Sequence, residues 1–271
     1  MIDLVLFDMD GTLTPARKSA PFEVGEALTE LRKYADVGIV TGSGYRYVLE
    51  QCGVILRNSS ADVPGKFWIL PCNGTQLYSW CDTFHKATLL AKNDMKNELG
   101  VRELSKVKSI LSTIQSDMMK DIGDLPYTSH FIDDRESMIN WCPIGRNAGD
   151  LERRHFIDFD KKFDFRELTI KKIKDQLDQL ALETNLTIKL GGDTSVDIFP
   201  EGWDKTFALK HFPGKRVWFV GDRCTGSGND REIFENLAQH SRAFSTRDPD
   251  STIKIINENI IPSLLKEMYI I

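Results

Sequence analysis

A strand–helix–strand pattern near the start of the chain limits the possible folds more than any other feature. Residues 4–7 and residues 37–40 are short apolar runs of the length of a buried strand. Apolar side chains recur between them at the spacing of one helix face, at Val24, Ala27, Leu28, Leu31 and Ala35. A helix that joins two strands places them parallel in one sheet, because a parallel pair needs a long crossover connection. The sequence therefore predicts an α/β protein built on a parallel sheet.

Further strands are predicted at residues 67–70 and 217–220, which are again short and apolar. The first of them leads into Asn73-Gly74, a dipeptide that is typical of tight turns. The turn that begins at Thr41 follows the strand of residues 37–40, and we predict a helix after it that reaches about Cys52. These elements extend the same sheet from both ends of the chain.

The middle of the chain has a different pattern, with helices and short β-rich segments in place of the strand–helix alternation. The β-rich segments lie near residues 128–133 and 137–142. The helices are marked by apolar residues at Val107, Ile110, Leu111, Ile114 and Met118 and at Ile173, Leu177 and Leu180. We predict a core domain of residues 1–83 and 201–271, interrupted by an α+β cap domain of residues 84–200.

Composition excludes several classes of partner. The 271 residues are 41% hydrophobic and carry a formal net charge of -5, so the whole molecule has no attraction for nucleic acid or for an anionic membrane. We expect neither as a partner. The first residues lack the basic, apolar and small-residue regions of an export signal, and the cysteines are odd in number and lack a C-x-x-C spacing. We therefore expect a cytoplasmic protein with free thiols.

Three acidic residues follow predicted strands directly or at short distance: Asp8, Asp10 and Asp222. Ligands of open α/β sheets bind beyond the carboxyl ends of the strands, so we expect these side chains to lie close together. Crowded carboxylates repel one another, and Mg²⁺ bound through their oxygens stabilises such a group. The sequence predicts a magnesium site formed by these three residues.

Asp8 and Asp10 also fit phosphoryl transfer. Two-residue spacing in extended backbone puts both side chains on the same side, where Asp8 can attack phosphorus while Asp10 acts as acid and base. A D-x-D-G segment alone is often a solvated turn at the end of a strand. Its combination with Thr41, Lys205 and the later pair Asp222 and Asp230 favours a reaction through an aspartyl-phosphate on Asp8.

These elements, in this order, resemble the haloacid dehalogenase-like phosphotransferases across the whole core. The resemblance implies an α/β fold with a Rossmann-like core and an inserted cap. It also implies that Thr41 and Lys205 contact the phosphate and that Asp222 binds Mg²⁺. Asp230 would support the metal site by contacting its ligands without binding the metal itself.

A narrower resemblance covers both core and cap. Residues 7–17, 140–146, 195–205 and 221–234 together resemble the eukaryotic-type phosphomannomutases. The resemblance implies interconversion of mannose 6-phosphate and mannose 1-phosphate, a hexose 1,6-bisphosphate activator, a role in mannose metabolism towards GDP-mannose, and a homodimer formed through the cap. The residues that match the family's substrate contacts are Arg17, Arg135, Asn140, Arg146, Arg153, Ser195 and Asp197. Arginine forks suit phosphate oxygens, and Asp197 can accept hydrogen bonds from sugar hydroxyls.

Two departures from the family pattern keep other functions open. Thr41-Gly42-Ser43 stands where the family has Gly-Gly-Ser, and threonine there is more typical of related sugar phosphatases. Arg135-Glu136-Ser137 replaces the family's Arg-Asn-Gly. The alternatives are a magnesium-dependent sugar-phosphate phosphatase and a catalytically silent sugar-phosphate-binding or scaffold protein. The choice between mannose and glucose also stays open at this point.

Overall fold

The computed structural model describes residues 3–180, 182 and 184–268. Within these residues the strands are β1 (Asp3–Phe7), β2 (Ala35–Val40), β3 (Phe67–Leu70), β4 (Gln76–Cys81), β5 (Lys86–Lys92), β6 (Ile132–Asp134), β7 (Ile139–Trp141), β8 (Leu186–Gly191), β9 (Ser195–Pro200), β10 (Val217–Gly221) and β11 (Ala243–Ser245). The α-helices are α1 (Phe22–Leu31), α2 (Tyr45–Arg57), α3 (Met95–Leu99), α4 (Val101–Asp121), α5 (Asp150–Phe163), α6 (Phe165–Asp178), α7 (Arg231–Ala238), α8 (Pro249–Ile255) and α9 (Ile261–Met268). Short 3₁₀ helices form at Cys72–Gly74 and Lys205–His211, and a π-helical turn at Ile256–Ile260 joins α8 to α9.

The chain divides into two compact units. One contains the residues up to Lys92 together with those from Trp203 onward, and the other is Asn93–Gly202. The sequence placed the first boundary at residue 83, whereas the structure puts β5 in the first unit. The reason is that β5 pairs antiparallel with β4 along its whole length, so it belongs to the same sheet.

The first unit is built on a sheet of order β11-β10-β1-β2-β3-β4-β5. The pairs from β11 to β3 are parallel, which confirms the predicted α/β fold, and β4 and β5 continue the sheet antiparallel. Alternate residues of β1 enter different layers, since Val5 and Phe7 pack with α1 and α2 while Leu4 and Leu6 pack on the opposite face with α7. Burial on both faces explains why these strands are continuous apolar runs.

One helix boundary differs from the sequence prediction in this unit. Ala35 continues the apolar spacing of α1, but α1 ends at Leu31 and Ala35 is the first residue of β2. Arg32 follows the helix and its guanidinium is buried, donating from Nε to the Gly65 carbonyl at 2.9 Å and pairing with Asp82 at 2.6 Å. Partners this distant in sequence leave no trace in the local apolar pattern.

The second unit combines an antiparallel sheet of order β6-β7-β9-β8 with helices α3 to α6. It is the α+β module that the sequence predicted in the middle of the chain. The buried face of α4 carries Leu104, Val107, Leu111, Ile114 and Met118, in agreement with the predicted helix. The two β-rich segments form strands that are shorter than predicted and begin later, at Ile132 and Ile139.

The helices and cysteines of the described residues give two further observations. None of the helices in this part of the chain is long and apolar enough to cross a membrane. Among the described residues, the five cysteines are not joined by disulfide bonds; Cys81 is half-buried and the other four are buried.

Candidate active site

The site of the first unit begins where three parallel strands end. Asp8 follows β1, Thr41 follows β2 and Asp222 follows β10. The backbone N–H of Asp8 donates to the Val220 carbonyl at 2.9 Å, which continues the β1–β10 pairing into the loop. Since β1, β2 and β10 are parallel neighbours, their carboxyl ends lie at one edge of the sheet, as the sequence predicted.

Lys205 is the central cation of this site. It is the first residue of the 3₁₀ helix Lys205–His211, and 1% of its surface is exposed. Its ammonium group pairs with the Asp8 carboxylate and, at 2.5 Å, with the Asp230 carboxylate. Asp230 is fully buried and also accepts a hydrogen bond from the Arg223 N–H at 3.1 Å. One buried lysine thus links Asp8, in the N-terminal part of the chain, to Asp230, in its C-terminal part.

The electrostatics of the cluster are unbalanced towards negative charge. Burial, with the nearby Asp230 carboxylate, raises the pKa of Asp8 well above its ordinary value, although Lys205 acts in the opposite direction. Burial and Asp230 also raise the pKa of Asp222 to about 6. Lys205 itself is held charged, because the two carboxylates outweigh the effect of burial and raise its pKa. One ammonium group therefore does not neutralise the three carboxylates.

The cluster fits a divalent cation. Ligand oxygens of Asp8, Asp222 and Asp230 lie within 4.8 Å of one another. Asp222 Oδ1 is buried and has no hydrogen-bond partner among the residues that the structure describes. Carboxylate oxygens are the donors that Mg²⁺ prefers. Gly11 permits this arrangement, since its backbone has a φ of +84° and any side chain there would collide with the Asp222 carboxylate.

Asp10 is not a member of this carboxylate group, although the sequence predicts it as the third metal ligand. Its Oδ1 accepts a hydrogen bond from the backbone N–H of Arg17 at 2.8 Å, which turns the carboxylate to the loop that follows. Asp230 takes the third place in the carboxylate group instead. The family resemblance implied only a supporting role for Asp230, and the loop between Asp222 and Asp230 has no regular pattern from which its path could be predicted.

Two other residues that the sequence assigned to this site lie on the loops around it. The Thr41 side chain is buried, and its Oγ1 accepts a hydrogen bond from the Ser43 N–H at 3.1 Å. Arg17 is exposed and has a left-handed backbone with a φ of 60°.

The second unit holds a separate polar row on its sheet. Asp133, Asn140 and Asp197 are direct neighbours on β6, β7 and β9, so their side chains share one face. Asn140 Nδ2 donates to Asp197 Oδ1 at 2.6 Å, and Arg146 donates to Asn140 Oδ1 at 2.9 Å. The structure thus joins three of the predicted substrate residues, Asp197, Asn140 and Arg146, by consecutive hydrogen bonds.

Asp133 is a member of this row that the sequence analysis missed. Its Oδ2 accepts from Arg135 Nε at 2.9 Å and lies 3.6 Å from Arg146 Nε. Burial tends to raise the pKa of this carboxyl, but Arg135 and Arg146 outweigh burial and lower it. The available signal was the two-residue spacing of Asp133 and Arg135, which puts both on one face of a strand.

Arg153 and Ser195 are the remaining predicted substrate residues of the second unit, and both are found at one end of its sheet. Arg153 donates to Thr194 Oγ1 at 2.8 Å. Ser195 is buried at the start of β9, and its carbonyl accepts from Arg166 at 3.1 Å. Ser195 thus belongs to the end of the β8–β9 hairpin, where it pairs with Gly191, and Arg153 contacts this end through Thr194.

The Asp197→Asn variant is expected to be at least as stable as the wild type at pH 7, by up to about 1 kcal/mol. Burial raises the pKa of the Asp197 carboxyl, and Arg135, the Asn140 hydrogen bond and Arg146 offset this only in part. The folded state therefore binds the proton more tightly than the unfolded chain, and wild-type stability falls as pH rises from about 3.9 through the folded-state pKa. Asparagine removes that slope. Urea unfolding at a series of pH values measures it.

A suitable control is Asp158→Asn, which removes an exposed carboxylate from α5 in the same unit. We expect a change within about 0.5 kcal/mol and an unaltered pH slope. A loss of more than about 1 kcal/mol at pH 7 in Asp197→Asn would show that the carboxylate stabilises the fold, contrary to this prediction.

The fold has clear counterparts among solved structures. A truncated IMP-nucleotidase from Plasmodium falciparum superposes with a TM-score of 0.62 over 95% of this chain and 70% of its own, at 17% identity. A trehalose-6-phosphate phosphatase related protein gives a TM-score of 0.53 over 97% of this chain and 99% of its own, also at 17% identity. These likenesses define the class of fold, an α/β protein with a mainly parallel sheet and an inserted α+β unit.

Sequence comparison narrows this class to one family. The model of the eukaryotic phosphomannomutase family matches residues 24–262, so the chain belongs to that family. The phosphomannomutase of Saccharomyces cerevisiae is 35% identical over 260 residues, which are 94% of this chain and 93% of the relative. Phosphomannomutase 2 of Dictyostelium discoideum is 30% identical over 259 residues, or 94% of this chain and 95% of the relative.

Proposed function

We propose that this chain is a phosphomannomutase that interconverts mannose 6-phosphate and mannose 1-phosphate through an aspartyl-phosphate on Asp8. The observation that carries the proposal is the family match, which extends over both units of the chain. The buried Asp8, Lys205, Asp222 and Asp230 cluster supplies the chemistry that this reaction needs.

In the proposed reaction, a carboxylate oxygen of Asp8 attacks the phosphorus of a hexose 1,6-bisphosphate. The new bond joins Asp8 to phosphorus, and the bond from phosphorus to the sugar oxygen breaks. Asp10 gives its proton to that oxygen and takes one back when a hexose monophosphate attacks the aspartyl-phosphate. Thr41 and the Lys205 ammonium group bind the oxygens of the phosphate in transfer.

Mg²⁺ is the proposed metal cofactor, with Asp8, Asp222 and Asp230 as the residues that would hold it. When bound, it supplies positive charge that offsets both the crowded carboxylates and the incoming phosphate. The orphaned Asp222 Oδ1 and the raised pKa of Asp222 support this assignment. Lys205 favours the ionised form of Asp8 that attack requires, acting against burial, which raises the pKa of this carboxyl.

The second unit is the proposed cap, which selects the substrate. The cap residues Arg135, Arg146 and Arg153 would hold the phosphate that is not reacting, since arginine forks bind phosphate oxygens in pairs. In the first unit, Arg17 is a further proposed substrate contact. Ser195, Asn140 and Asp197 would bind sugar hydroxyls. A buried carboxylate with a raised pKa is unfavourable for folding, which supports a binding role for Asp197.

We also propose that the protein is a cytoplasmic homodimer in mannose metabolism leading to GDP-mannose. The free cysteines support a reducing compartment. A groove of about 530 Å³ on the cap, lined by Gln115, Met119, Phe131 and Ile132 among others, supports association of two caps. Met119 is 43% exposed there. Sedimentation equilibrium tests the dimer by giving the mass of one chain or of two.

The proposed function predicts that mannose 1-phosphate becomes mannose 6-phosphate only when a catalytic amount of glucose 1,6-bisphosphate and Mg²⁺ are present. The bisphosphate is needed because Asp8 must first be phosphorylated. Phosphorus NMR follows both sugar phosphates and inorganic phosphate in one sample. Chelation of Mg²⁺ should stop the conversion, and glucose 1-phosphate in a parallel sample compares the two sugars.

Thr41 favours a second candidate function, a magnesium-dependent sugar-phosphate phosphatase. Thr41 is buried directly after β2, at the position where the family has glycine, and its hydroxyl could orient an attacking water. This candidate predicts steady release of phosphate and free mannose without any bisphosphate. Such release, with no accumulation of mannose 6-phosphate, would contradict the mutase proposal.

A further inference from the structure

The turn between β3 and β4 has a strained backbone that the proposed mechanism does not use. Cys72, Asn73 and Gly74 all have left-handed φ values, of 50°, 61° and 84°. Two of these residues are not glycine, and Asn73 is 5% exposed. Such conformations persist only where the surroundings determine them, and they occur most often near functional sites. The partners of this turn therefore identify what it holds in place.

On one side, the turn holds the loop that contains Thr41. The Asn73 N–H donates to the Thr41 carbonyl at 2.8 Å, and the Cys72 N–H donates to the Ser43 carbonyl at 3.0 Å. An ordinary hairpin turn satisfies its backbone groups within itself and its own strands. Here two successive N–H groups instead bind the loop that follows β2.

On the other side, the turn holds the helix that begins with Lys205. Asn73 Nδ2 donates to the Trp203 carbonyl at 3.2 Å, two residues before Lys205. His211 Nε2 lies 2.7 Å from the Gly74 carbonyl and carries the proton, because a carbonyl oxygen only accepts. Gly74 also packs so closely that a Cβ atom there would lie 2.7 Å from Ala208 Cα. The turn thus contacts this 3₁₀ helix before its start, in its middle and at its end.

We infer that Asn73 is a positioning residue that fixes the separation of Thr41 and Lys205. Its backbone binds the Thr41 loop and its side chain binds the Lys205 segment, so a single residue joins two groups that, in the proposed function on which this inference rests, bind one phosphate. Asparagine suits this position because it tolerates a left-handed backbone and has an amide donor. The inference explains why the strained turn lies between these two elements.

The Asn73→Gly variant tests the inference. Glycine accepts the left-handed backbone and keeps the N–H bond to Thr41, so the substitution removes only the bond to the Trp203 carbonyl. We expect kcat to fall about tenfold or more, because a displacement near 1 Å of a binding group costs about 10²-fold in rate. The KM for the hexose phosphate should change by less than about threefold, since the cap is untouched. The rate of Asp8 phosphorylation by glucose 1,6-bisphosphate should fall in parallel with kcat.

Ser59→Ala is the matched control, since the buried Ser59 hydroxyl donates to the Leu56 carbonyl at 2.6 Å in the same unit, away from the site. It should lower Tm and leave kcat unchanged. If Asn73→Gly behaved in the same way, with a lower Tm and the kcat of the wild type, Asn73 would be merely structural and the inference overturned. His211→Leu, which removes the tie at Gly74, gives a second test if Asn73→Gly does not fold, and wild-type kcat in that variant would likewise overturn it.

The design separates this inference from the proposed function. The wild-type mutase assay decides the function by its product, and the variants are compared with the wild type by the ratio of their rates. If the wild type releases phosphate in place of isomerising the sugar, the mutase proposal fails, and the same ratio measured on phosphate release still decides the role of Asn73.

Discussion

The Asp8→Asn variant is expected to lose turnover by about 10⁴-fold or more, the scale seen when a covalent nucleophile is removed. An amide carries no negative charge and cannot form the aspartyl-phosphate. The variant should still fold, since burial raises the pKa of Asp8 and the charged carboxylate is thus an unfavourable group in the folded state. Lys205 retains its pair with Asp230. Phosphorus NMR of sugar phosphates measures the turnover, and calorimetric titration with mannose 1-phosphate measures the retained binding.

Asp3→Asn is the matched control for this variant. Asp3 is a buried carboxylate at the opposite end of β1, where it accepts from Arg216 at 2.9 Å and from Trp218 at 3.0 Å. Its replacement should cost about 1 kcal/mol of stability and leave kcat within twofold of the wild type. Turnover in Asp8→Asn within about tenfold of the wild type would refute the aspartyl-phosphate mechanism.

The parallel part of the sheet could be predicted from the sequence because its strands are buried on both sides. The runs that became β1, β2, β3 and β10 contain almost no polar interruption, and each was located to within two residues. Strand β5 could not be predicted in the same way. It is the edge of the sheet, and its Leu89 and Leu90 are about half exposed, so its pattern lacks the alternation of a half-buried strand.

The helices of the second unit show the same dependence on burial. Five apolar residues at helical spacing identified α4 from the sequence, and four of them, Val107, Leu111, Ile114 and Met118, are buried. In α5 only Phe156 is buried, and its other residues are mainly charged or partly exposed, so no apolar stripe marks this helix. Its position follows from contacts with α6, including the edge-to-face pair of Phe156 and Phe165. Such contacts depend on tertiary structure and leave no local signal.

For the candidate site, the residue types could be predicted from the sequence, but the conformations of the loops that orient their side chains could not. The rule that ligands bind at the carboxyl ends of parallel strands correctly grouped Asp8 with Asp222. It could not separate Asp10 from Asp230, because the difference depends on where two irregular loops turn. The dual role of Asn73 was equally hidden, since its partners at Thr41 and Trp203 lie 32 and 130 residues away. Long-range hydrogen bonds of this kind require the folded chain.

The Lys205→Met variant is expected to have the largest loss of stability, about 3–5 kcal/mol at pH 7, together with loss of activity. Methionine fills the space but leaves the buried Asp8 and Asp230 carboxylates without their cation. Without its cation, the buried Asp8 carboxyl, whose pKa burial already raises, binds its proton still more tightly than in the unfolded chain, so the stability of the variant should increase as pH falls from 8 to 5. In the wild type the pKa of Lys205 is raised, so the lysine contributes fully below its unfolded pKa of about 10.4 and does not itself titrate in this window. Asp222, whose pKa is raised to about 6, gives both proteins some increase in stability towards low pH, so the variant is compared with the wild type at each pH. Urea unfolding across this pH window measures both effects.

Lys215→Met is the matched control, since the Lys215 ammonium lies 2.5 Å from the single carboxylate of Asp36 and its side chain is 24% exposed. Asp36 keeps the Lys66 N–H as a donor at 2.8 Å, so this variant should lose only about 1 kcal/mol. Added Mg²⁺ should then stabilise Lys205→Met more than it stabilises the wild type or the control, because the metal would bind a site that has lost its competing cation. Equal stabilisation of all three proteins by Mg²⁺ would mean that the ion does not bind among Asp8, Asp222 and Asp230. A stability of Lys205→Met equal to that of the control would mean that the buried carboxylates are already neutral in the folded protein, and the ionised nucleophile proposed for Asp8 would then be wrong.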